Sequence, residues 1–267
     1  MKHAFFFDID GTLYDNQFHE FSEGLLEEFD YLRKNHHADL YLLSSRSPFE
    51  TIHLPDAFLD YPYAGIVLEG GAAIYGRNQS LIDAWLIPNE DIKKIHEFCR
   101  DKELLWRYSG PDGNYFNSRP DENTRLHWRK LYLTCPITKE WQGDDVCNIL
   151  IWTSTKKQQQ EIQELLPESS LVIYPDCVEI RARNISKENA VKVLKKNLNY
   201  EKVICVGDGP NDVEMLKAAD YSLAVGNACE EAREAADEII PAVYEGGVAK
   251  WLKERREKEE KHATTDN

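Results

Sequence analysis

The sequence has little that is typical of a secreted, membrane-spanning or zinc-binding protein. Its six cysteines form no C-x-x-C pair and have no histidine couple nearby, so neither a disulfide framework nor a zinc site is indicated. No stretch approaches the roughly 20 apolar residues that a membrane span needs, and the apolar run within Met1–Phe7 is too short for a signal peptide. We therefore expect a cytoplasmic protein with reduced, mostly buried thiols.

Positive charge is also scarce. The chain has 32 Lys and Arg residues against 47 Asp and Glu residues, which gives a net charge of -15. Such a field repels polyanions and anionic membrane surfaces, so neither nucleic acid nor a membrane is expected as a partner. The same field opposes a small phosphate ester, and a site for such a substrate would need a metal ion and a few well-placed cations.

Short apolar segments that alternate with helical patterns indicate an α/β fold. Ala4–Phe7, Leu40–Leu43 and Gly65–Leu68 are typical of buried strands. Phe18–Lys34 has apolar residues at helical spacing, which predicts a helix between the first two strands. After residue 186 the alternation resumes, with strands predicted over Val203–Val206, Ser222–Val225 and Glu238–Ile240 and helices over Ser186–Leu198, Val213–Ala219 and Glu230–Ala236.

The change of pattern predicts a core domain interrupted by an insertion. Residues 1–82 and 181–252 are assigned to the core, 83–180 to an inserted α/β domain, and 253–267 to a charged tail, frayed and solvated from Glu254 onward. In the insertion, helices are predicted over Asn89–Asp101 and Lys156–Leu166 and strands over Leu104–Tyr108, Gly113–Asn117, Val146–Trp152, Leu171–Tyr174 and Val178–Ile180.

Two acidic side chains follow the first predicted strand in the run Asp8-Ile9-Asp10-Gly11-Thr12. In an extended chain alternate residues share a face, so Asp8 and Asp10 can converge, although Gly11 indicates that the chain already turns there. Converging anions are costly unless a hard divalent cation lies between them, and carboxylate oxygens suit Mg2+. The alternative is an Asp- and Gly-rich turn in which an aspartate caps a following helix.

A second acidic run, GDGPND at 207–212, follows the predicted strand Val203–Val206. Because the carboxyl ends of parallel strands lie on one edge of an open sheet, the two acidic runs are expected to meet at a single crevice. Asp208 is then a further magnesium ligand. Two roles stay open for Asp212, a place in this site or the cap of the helix predicted to begin there.

Two further positions are candidates for binding an anion. Ser44 ends the second predicted strand with a hydroxyl and a backbone N–H, and Ser45 and Arg46 follow it; a helix N-cap or an ST-turn is the alternative for Ser44. Lys187 opens the helix predicted over Ser186–Leu198. The partial positive charge of a helix N-terminus disfavours a lysine unless an anion is also held there, so Lys187 indicates an anion site.

In this order, strand-DIDGT, strand-Ser, helix-opening lysine and strand-GDGPND resemble the haloacid dehalogenase superfamily, and within it the Cof-type sugar-phosphatases. The resemblance extends from Phe5 to Gly246. It implies a Rossmann-like core with a doubly wound parallel sheet, and the insertion is similar to the large α/β cap domain of that branch. The implied activity is hydrolysis of a small phosphorylated metabolite, and we expect a monomer or a weak homodimer.

The resemblance also implies catalytic roles. Asp8 would be the nucleophile that forms a phospho-aspartate, and Asp10 the general acid toward the leaving alcohol and then the general base toward water. Mg2+ would be held by Asp8, by Asp10 through its backbone carbonyl, and by Asp208.

For the transferring phosphoryl group, the resemblance implies binding by Ser44 and Lys187, with Asn211 orienting the same group. Ser45 and Arg46 complete the set of candidate substrate- or phosphate-binding residues.

The chain departs from the usual family pattern at three places. The second motif reads SSR at 44–46 where Thr-Gly-Arg is common, Glu188 follows Lys187 in place of glycine, and Glu69 replaces an asparagine before a glycine turn. None of these changes removes a catalytic group, but Ser45 and Glu188 leave the size of the substrate in doubt.

Three functions fit these residues. The first is hydrolysis of a phosphomonoester such as a sugar phosphate. The second is a phosphomutase, which would return the phosphoryl group to a substrate hydroxyl. The third is a catalytically silent binding domain, in which loss of Asp8, Asp10 or Lys187 would be expected, and none is lost. In the insertion, Arg107, Tyr115, Asn117 and Arg119 are candidate substrate contacts, with ordinary surface display as the alternative.

Overall fold

The structure of the chain is a computed structural model that describes residues 2–265, with side chains described as far as His262. Strands and helices are numbered in chain order. The strands are β1 (His3–Asp8), β2 (Tyr14–Asp15), β3 (Glu20–Phe21), β4 (Asp39–Leu43), β5 (Gly65–Leu68), β6 (Ala73–Tyr75), β7 (Leu81–Ala84), β8 (Trp106–Gly110), β9 (Gly113–Phe116), β10 (Ile137–Thr138), β11 (Asn148–Trp152), β12 (Ser170–Ile173), β13 (Cys177–Arg181), β14 (Lys202–Gly207), β15 (Tyr221–Val225) and β16 (Glu238–Ile240).

The α-helices are α1 (Leu25–Asn35), α2 (Pro48–Thr51), α3 (Asp56–Leu59), α4 (Asn89–Asp101), α5 (Glu122–Tyr132), α6 (Lys156–Leu165), α7 (Lys187–Leu198), α8 (Val213–Ala218), α9 (Glu230–Ala235) and α10 (Gly247–Thr265). Turns of 3-10 helix lie at Glu69–Gly71, Pro210–Asp212 and Val243–Glu245. The α/β fold class that the sequence predicts is confirmed. The short helices α2 and α3, helix α5 and the hairpin strands β6 and β7 are not among the predicted elements.

The chain divides into two compact units, each described separately. The terminal unit comprises Met1–Leu42, Pro55–Ala64 and Val191–Asn267, and the central unit comprises Leu43–Leu54 and Gly65–Ala190. The central unit contains the predicted insertion, 83–180, together with the segment 43–54 that carries the second family motif. The predicted domain boundaries themselves stay a prediction.

The terminal unit is built on a sheet with the strand order β16-β15-β14-β1-β4. β1 pairs with β14, β14 with β15 and β15 with β16, all in parallel. β1 and β14 are runs of aromatic and β-branched residues that are buried almost throughout, which is typical of parallel sheets. Their register pairs Phe7 with Val206, so both strands end level with each other.

The first helix is shorter than the sequence predicts. The predicted range was Phe18–Lys34, whereas α1 begins at Leu25. The side chain of Asp15 accepts hydrogen bonds from two following backbone N–H groups, and β3 pairs with β2 in a short hairpin. Gly24 has a φ of 80°, outside the helical region. The prediction was wrong at residues 18–24 because side-chain to backbone hydrogen bonds there replace those of a helix.

The central unit contains an antiparallel arrangement of β5, β6 and β7 and a six-stranded sheet of order β10-β9-β8-β11-β13-β12. The predicted helices and strands of the insertion are present, with ends that differ by at most two residues. One face of the six-stranded sheet packs with α4 and α6 in an apolar cluster that includes Trp106, Ile149 and Ile180.

The other face of the six-stranded sheet is polar, because alternate residues of a strand point to opposite sides. Asn148 of β11 pairs with Ser109 of β8 on one side and with Arg181 of β13 on the other. This polar face is nonetheless buried. Its side chains, with their exposed fractions, are Arg107 (1%), Ser109 (0%), Asn148 (1%), Glu179 (1%) and Arg181 (2%).

The C-terminal segment is helical, contrary to the expectation of a frayed tail over Glu254–Asn267. Within the described residues α10 continues to Thr265; residues 266 and 267 of that prediction lie outside the described part. Arg256 donates two hydrogen bonds, of 2.9 and 2.7 Å, to the carboxylate of Glu28 in α1. An ion pair between distant segments therefore anchors this helix. No helix within residues 2–265 is both long and apolar enough to cross a membrane.

Replacing Arg256 with alanine is expected to lower the free energy of unfolding by about 1–3 kcal/mol, because it leaves the buried Glu28 carboxylate without its guanidinium partner. Urea denaturation of the purified variant measures the change. Lys258→Ala, an exposed position on the same helix, is the control. Equal unfolding midpoints for the two variants would contradict the anchoring role of Arg256.

Candidate active site

The two acidic runs meet at one edge of the parallel sheet in the terminal unit. Asp8 is the last residue of β1, and Asp208 directly follows β14, its parallel neighbour. One carboxylate oxygen from each of Asp8, Asp208 and Asp212 lies within 4.8 Å of those of the other two. The strand ends therefore bring together acidic side chains that are about two hundred residues apart in the chain.

The carboxylate cluster has the chemistry of a site for a hard cation. Asp8 is 5% exposed and Asp212 is 0% exposed, so water screens their mutual repulsion poorly. Ligands at 2.0–2.1 Å from an octahedral Mg2+ are about 3 Å apart when adjacent and about 4 Å apart when opposite. The all-oxygen donor set of the cluster suits such an ion, and its carboxylate oxygens, within 4.8 Å of one another, are close enough for a small shift to bring them to that spacing.

Asp208 is fixed by its surroundings in the terminal unit. Its Oδ1 accepts a hydrogen bond of 3.0 Å from the hydroxyl of Thr12, and its backbone carbonyl accepts one of 2.9 Å from the N–H of Cys229. Gly11, between Asp10 and Thr12, has a φ of 77°. A Cβ at Gly11 would lie 2.4 Å from Asp208 Oδ2, so glycine is required both by the backbone and by the carboxylate.

Asp212 does not cap the helix that follows it. No side-chain capping hydrogen bond is made to α8, and Asp212 Oδ2 instead accepts hydrogen bonds of 3.0 Å from the backbone N–H groups of Asp208 and Gly209. These bonds close the GDGPND turn and hold Asp212 in the carboxylate cluster. Of the two roles left open by the sequence, the structure thus favours a place in this site.

Asp10 lies in the turn that follows β1. The carbonyl of Ile9 accepts hydrogen bonds from three successive N–H groups, those of residues 12–14, which turns the chain sharply. Asp10 Oδ1 accepts a hydrogen bond of 2.6 Å from the side-chain amide of Asn16. Among the described residues, the carboxylate cluster contains Asp212 and not the side chain of Asp10. The predicted role of Asp10 in proton transfer stays a prediction.

Asn211 lies in the 3-10 turn Pro210–Asp212, directly before Asp212. The turn places it next to the carboxylate cluster in the terminal unit. Its predicted role toward the phosphoryl group stays a prediction.

In the central unit, Ser44 is held in a network of backbone hydrogen bonds. Its N–H donates to the carbonyl of Val67 over 2.9 Å, and its carbonyl accepts from the N–H of Gly70 over 3.0 Å. The hydroxyl accepts a hydrogen bond of 3.1 Å from the N–H of Arg46, which is the ST-turn considered for this serine. The side chain of Ser44 is 2% exposed.

The two residues after Ser44 point into the polar interior of the central unit. Burial raises the pKa of the Glu179 carboxyl, but the charge of Arg181 and hydrogen bonds from Asn148, the Ser45 hydroxyl and Tyr174 outweigh it, so that this pKa is lowered. Arg46 is 2% exposed; its Nη1 donates to the carbonyl of Glu50 over 2.6 Å, and its guanidinium lies 4.9 Å from the ring centre of Tyr132. Arg46 thus has structural partners, and its predicted role in substrate binding stays a prediction.

Lys187 is the first residue of α7 and is fully buried. Ser186 caps the helix, since its hydroxyl accepts a hydrogen bond of 3.0 Å from the N–H of Asn189. Gly71, with a φ of 109°, lies so close that a Cβ there would be 2.5 Å from the carbonyl oxygen of Ser186. The turn at Glu69–Gly71 therefore contacts two parts of the central unit: Gly70 contacts Ser44, and Gly71 contacts the start of α7.

Sequence reasoning missed several buried charges in the central unit. Glu50 Oε1 accepts hydrogen bonds of 2.8 Å from Arg107 Nη2 and 2.7 Å from Asn114 Nδ2. Glu69 is 0% exposed, and its Oε2 accepts a hydrogen bond of 2.6 Å from the hydroxyl of Ser109. One local signal was available, the capping-box pattern Ser47-x-x-Glu50, in which Ser47 N–H donates to Glu50 Oε2 over 2.8 Å.

The four candidate substrate contacts of the insertion differ in their surroundings. Arg107 is 1% exposed and bound within the polar interior, and Asn117 accepts a hydrogen bond of 2.9 Å from a backbone N–H of β8. The Tyr115 hydroxyl donates to a backbone carbonyl over 3.3 Å, and Arg119 is exposed. The first two have clear structural roles. Substrate contact by any of the four stays a prediction.

The model of haloacid dehalogenase-like hydrolases matches residues 5–252 of this chain. Among sequence relatives, the 5-amino-6-(5-phospho-D-ribitylamino)uracil phosphatase of Bacillus subtilis (strain 168) is 24% identical over 190 residues, which are 70% of this chain and 71% of the relative.

Solved structures show the same fold. A HAD subclass IIB sugar phosphatase has a TM-score of 0.84 at 22% identity, over 94% of this chain and 98% of that chain. A phosphatase of the same superfamily from Bacteroides thetaiotaomicron has a TM-score of 0.81 at 23% identity, over 95% of each chain. At this level of identity the likeness concerns the fold alone.

Gly11→Ala is expected to destabilise the chain more than Gly24→Ala. Both glycines have a left-handed φ, which costs an alanine about 1 kcal/mol, but a Cβ at Gly24 meets nothing within 4 Å, whereas one at Gly11 meets Asp208. The difference in free energy of unfolding, measured by urea denaturation, isolates the clash with the carboxylate. Equal losses in the two variants would show that Asp208 is free to move away.

Stability is expected to depend on pH through Glu69, because burial raises the pKa of its carboxyl to about 8, against the opposing effects of Arg107 and Ser109. As pH rises from about 4.5 to about 8, the unfolded chain releases this proton while the folded chain keeps it. The free energy of unfolding should therefore fall by up to about 1.4 kcal/mol per pH unit in that window.

Urea midpoints between pH 5 and pH 8.5 test this dependence. Glu69→Gln should reduce the fall with pH, while Glu90→Gln, at an exposed position of α4, should leave it as in the wild type. A wild-type slope that is retained in Glu69→Gln would assign the dependence to another group.

Proposed function

Since the chain belongs to the haloacid dehalogenase-like hydrolase family, we propose that it is a magnesium-dependent phosphatase that hydrolyses a small phosphorylated metabolite through an aspartyl-phosphate intermediate. The observation that carries the proposal is the cluster of Asp8, Asp208 and Asp212 carboxylates at the ends of neighbouring parallel strands. A sugar phosphate is the proposed substrate class, supported by the fold shared with a sugar phosphatase. We propose the cytoplasm as its location.

Asp8 is the proposed nucleophile. A carboxylate oxygen of Asp8 attacks phosphorus, a new P–O bond forms, and the bond from phosphorus to the leaving oxygen breaks. The Asp10 carboxyl gives its proton to that leaving oxygen, which departs as an alcohol. A water molecule then attacks the phospho-aspartate, Asp10 takes a proton from this water, and inorganic phosphate and the Asp8 carboxylate are released. The position of Asp10 in a turn, bonded through one oxygen to Asn16, supports this division of roles.

Mg2+ would be held by Asp8 and Asp208, with the Asp10 backbone carbonyl as a further ligand and Asp212 closing the same oxygen cluster. When bound, the ion neutralises the acidic edge and stabilises negative charge on the phosphoryl oxygens. The residues of the chain supply the rest: Thr12 and the GDGPND turn orient Asp208, and the glycine at position 11 leaves room for its carboxylate.

Neutralising the incoming phosphate is the proposed role of the central-unit residues Ser44 and Lys187. Their hydroxyl and ammonium groups are suited to the equatorial oxygens of a phosphoryl group in transfer, where charge is spread over three atoms. Burial of both side chains supports a site from which water is largely excluded. Asn211 is proposed to orient the same group, and Ser45 and Arg46 to shape its surroundings.

Asp8→Asn is expected to abolish turnover, with a loss in kcat of about three orders of magnitude or more, because an amide oxygen does not replace the nucleophile. Release of inorganic phosphate from p-nitrophenyl phosphate and from a panel of sugar phosphates measures the loss. Asp220→Asn is the matched control: Asp220 lies in the same unit but pairs with Lys195 before β15.

The same assay with EDTA tests the metal. Wild-type activity should disappear and return with added Mg2+, and Mg2+ should raise the melting temperature of the wild type but not of Asp8→Asn. Phosphate release that is unaffected by EDTA, or full activity of Asp8→Asn, would refute the proposed mechanism.

A further inference from the structure

The central unit contains a connected polar network in its interior. Asn148 Nδ2 donates to Glu179 Oε1 over 2.6 Å, and Arg107 Nε donates to Asn114 Oδ1 over 2.6 Å. Arg181 Nη1 donates to the carbonyl of Gly70 over 2.5 Å. These side chains belong to four different strands of the six-stranded sheet and share its polar face.

Residues 43–54 lie against part of this face, and Glu50 attaches them to it through its side chain. Both oxygens of Glu50 are used: Oε2 accepts from the N–H of Ser47, and Oε1 accepts from Arg107 Nη2 and Asn114 Nδ2. The ion pair between Glu50 and Arg107 is buried at both ends, with side-chain exposures of 2% and 1%. The segment is therefore joined to β8 and β9 by a charge pair that water does not reach.

The same segment is bound at several further points, including the backbone hydrogen bonds of Ser44 with Val67 and Gly70. The N–H of Glu69 donates to the carbonyl of Arg46 over 2.9 Å, and the Ser45 hydroxyl bonds to Glu179 of β13. Arg46 in turn donates to the carbonyl of Glu50. Displacing Glu50 would thus shift the residues that precede it. A buried ion pair has a narrow choice of geometry, because each charge is stable there only while its partner stays in place.

We propose that Glu50 is a positioning residue for phosphate binding: through its ion pair with Arg107 it fixes the segment Ser44–Arg46 on the six-stranded sheet and thereby sets the affinity for the phosphoryl group. This inference rests on the proposed function. According to this proposal, the sheet of the insertion positions the Ser44–Arg46 motif. That motif follows β4 and lies more than fifty residues earlier in the chain than Arg107. Glu50 touches neither substrate nor metal in this role.

The test uses Glu50→Gln, Arg107→Met and the double variant in the full-length chain. The side-chain amide of the glutamine variant would present its N–H2 group either to the N–H of Ser47 or to the donors of Arg107 and Asn114, so one set of bonds must break. Each single variant is expected to raise the inhibition constant of inorganic phosphate at least tenfold. KM for two phosphoesters with different alcohols should rise by the same factor, with a smaller effect on kcat.

The double variant leaves no unpaired buried charge. Its phosphate inhibition constant should therefore rise by less than the product of the increases in the two single variants. Hydrogen exchange gives a readout that does not depend on activity: the backbone amides of residues 44–47, 49 and 50 should exchange at least tenfold faster in Glu50→Gln. If Arg107→Met does not fold, Asn114→Ala, which removes one donor to Glu50, takes its place.

Ile162→Val is the control, since Ile162 of α6 is fully buried in the apolar cluster on the opposite side of the same sheet. It should leave the phosphate constant unchanged. An equal rise in the control, or faster exchange in Glu50→Gln with unchanged phosphate affinity, would reduce the ion pair to a general structural role. If the wild-type chain releases no phosphate, both the proposed function and the positioning role are refuted. If the wild type is active but both single variants have an unchanged inhibition constant for phosphate, only the positioning role is refuted.

Discussion

The repulsion among three aspartates at the end of a parallel sheet is the constraint on which the terminal unit depends. Asp8, Asp208 and Asp212 are held within a few ångströms of one another in a chain that already carries a net charge of -15. Hydrogen bonds from Thr12 and from the backbone of the GDGPND turn maintain this arrangement. A chain that only needed to fold would gain by separating these charges, and this is the physical reason for the cation that we propose at this site.

The central unit solves a different electrostatic problem. It buries three glutamates, Glu50, Glu69 and Glu179, on or against the polar face of one sheet. Two of them have cationic neighbours, since Glu50 is paired with Arg107 and Glu179 lies 4.0 Å from Arg181. Glu69 has only the Ser109 hydroxyl as a side-chain partner among the described residues, with Oε1 unbonded, and burial raises its pKa accordingly. Such an interior stabilises a single arrangement of these side chains, because a charge that moved away from its partner would have no water molecule to hydrogen-bond in its place.

Departures from the usual family pattern acquire a physical meaning in this setting. Ser45, where glycine is common, supplies a hydroxyl to Glu179. Glu69, where asparagine is common, adopts a φ of 53° and joins the glycine turn to Ser109 on β8. Ser45 thus links the second motif to the six-stranded sheet, and Glu69 links the glycine turn to it. They leave every proposed catalytic group in place.

The sequence by itself determined the α/β alternation, most element positions and the two acidic strand ends, because hydrophobic period and strand-end position are local properties. It failed at residues 18–24, where the Asp15 side chain closes a turn, and at residues 254–265, where the chain continues helix α10, which an ion pair with Glu28 anchors, in place of the predicted frayed tail. Only the tertiary structure decided that Asp212 joins Asp8 and Asp208 and that Glu50 meets Arg107. Those pairings depend on which distant segments pack together. A charged side chain needs a partner only once it is buried, and no short stretch of the chain determines whether it will be buried.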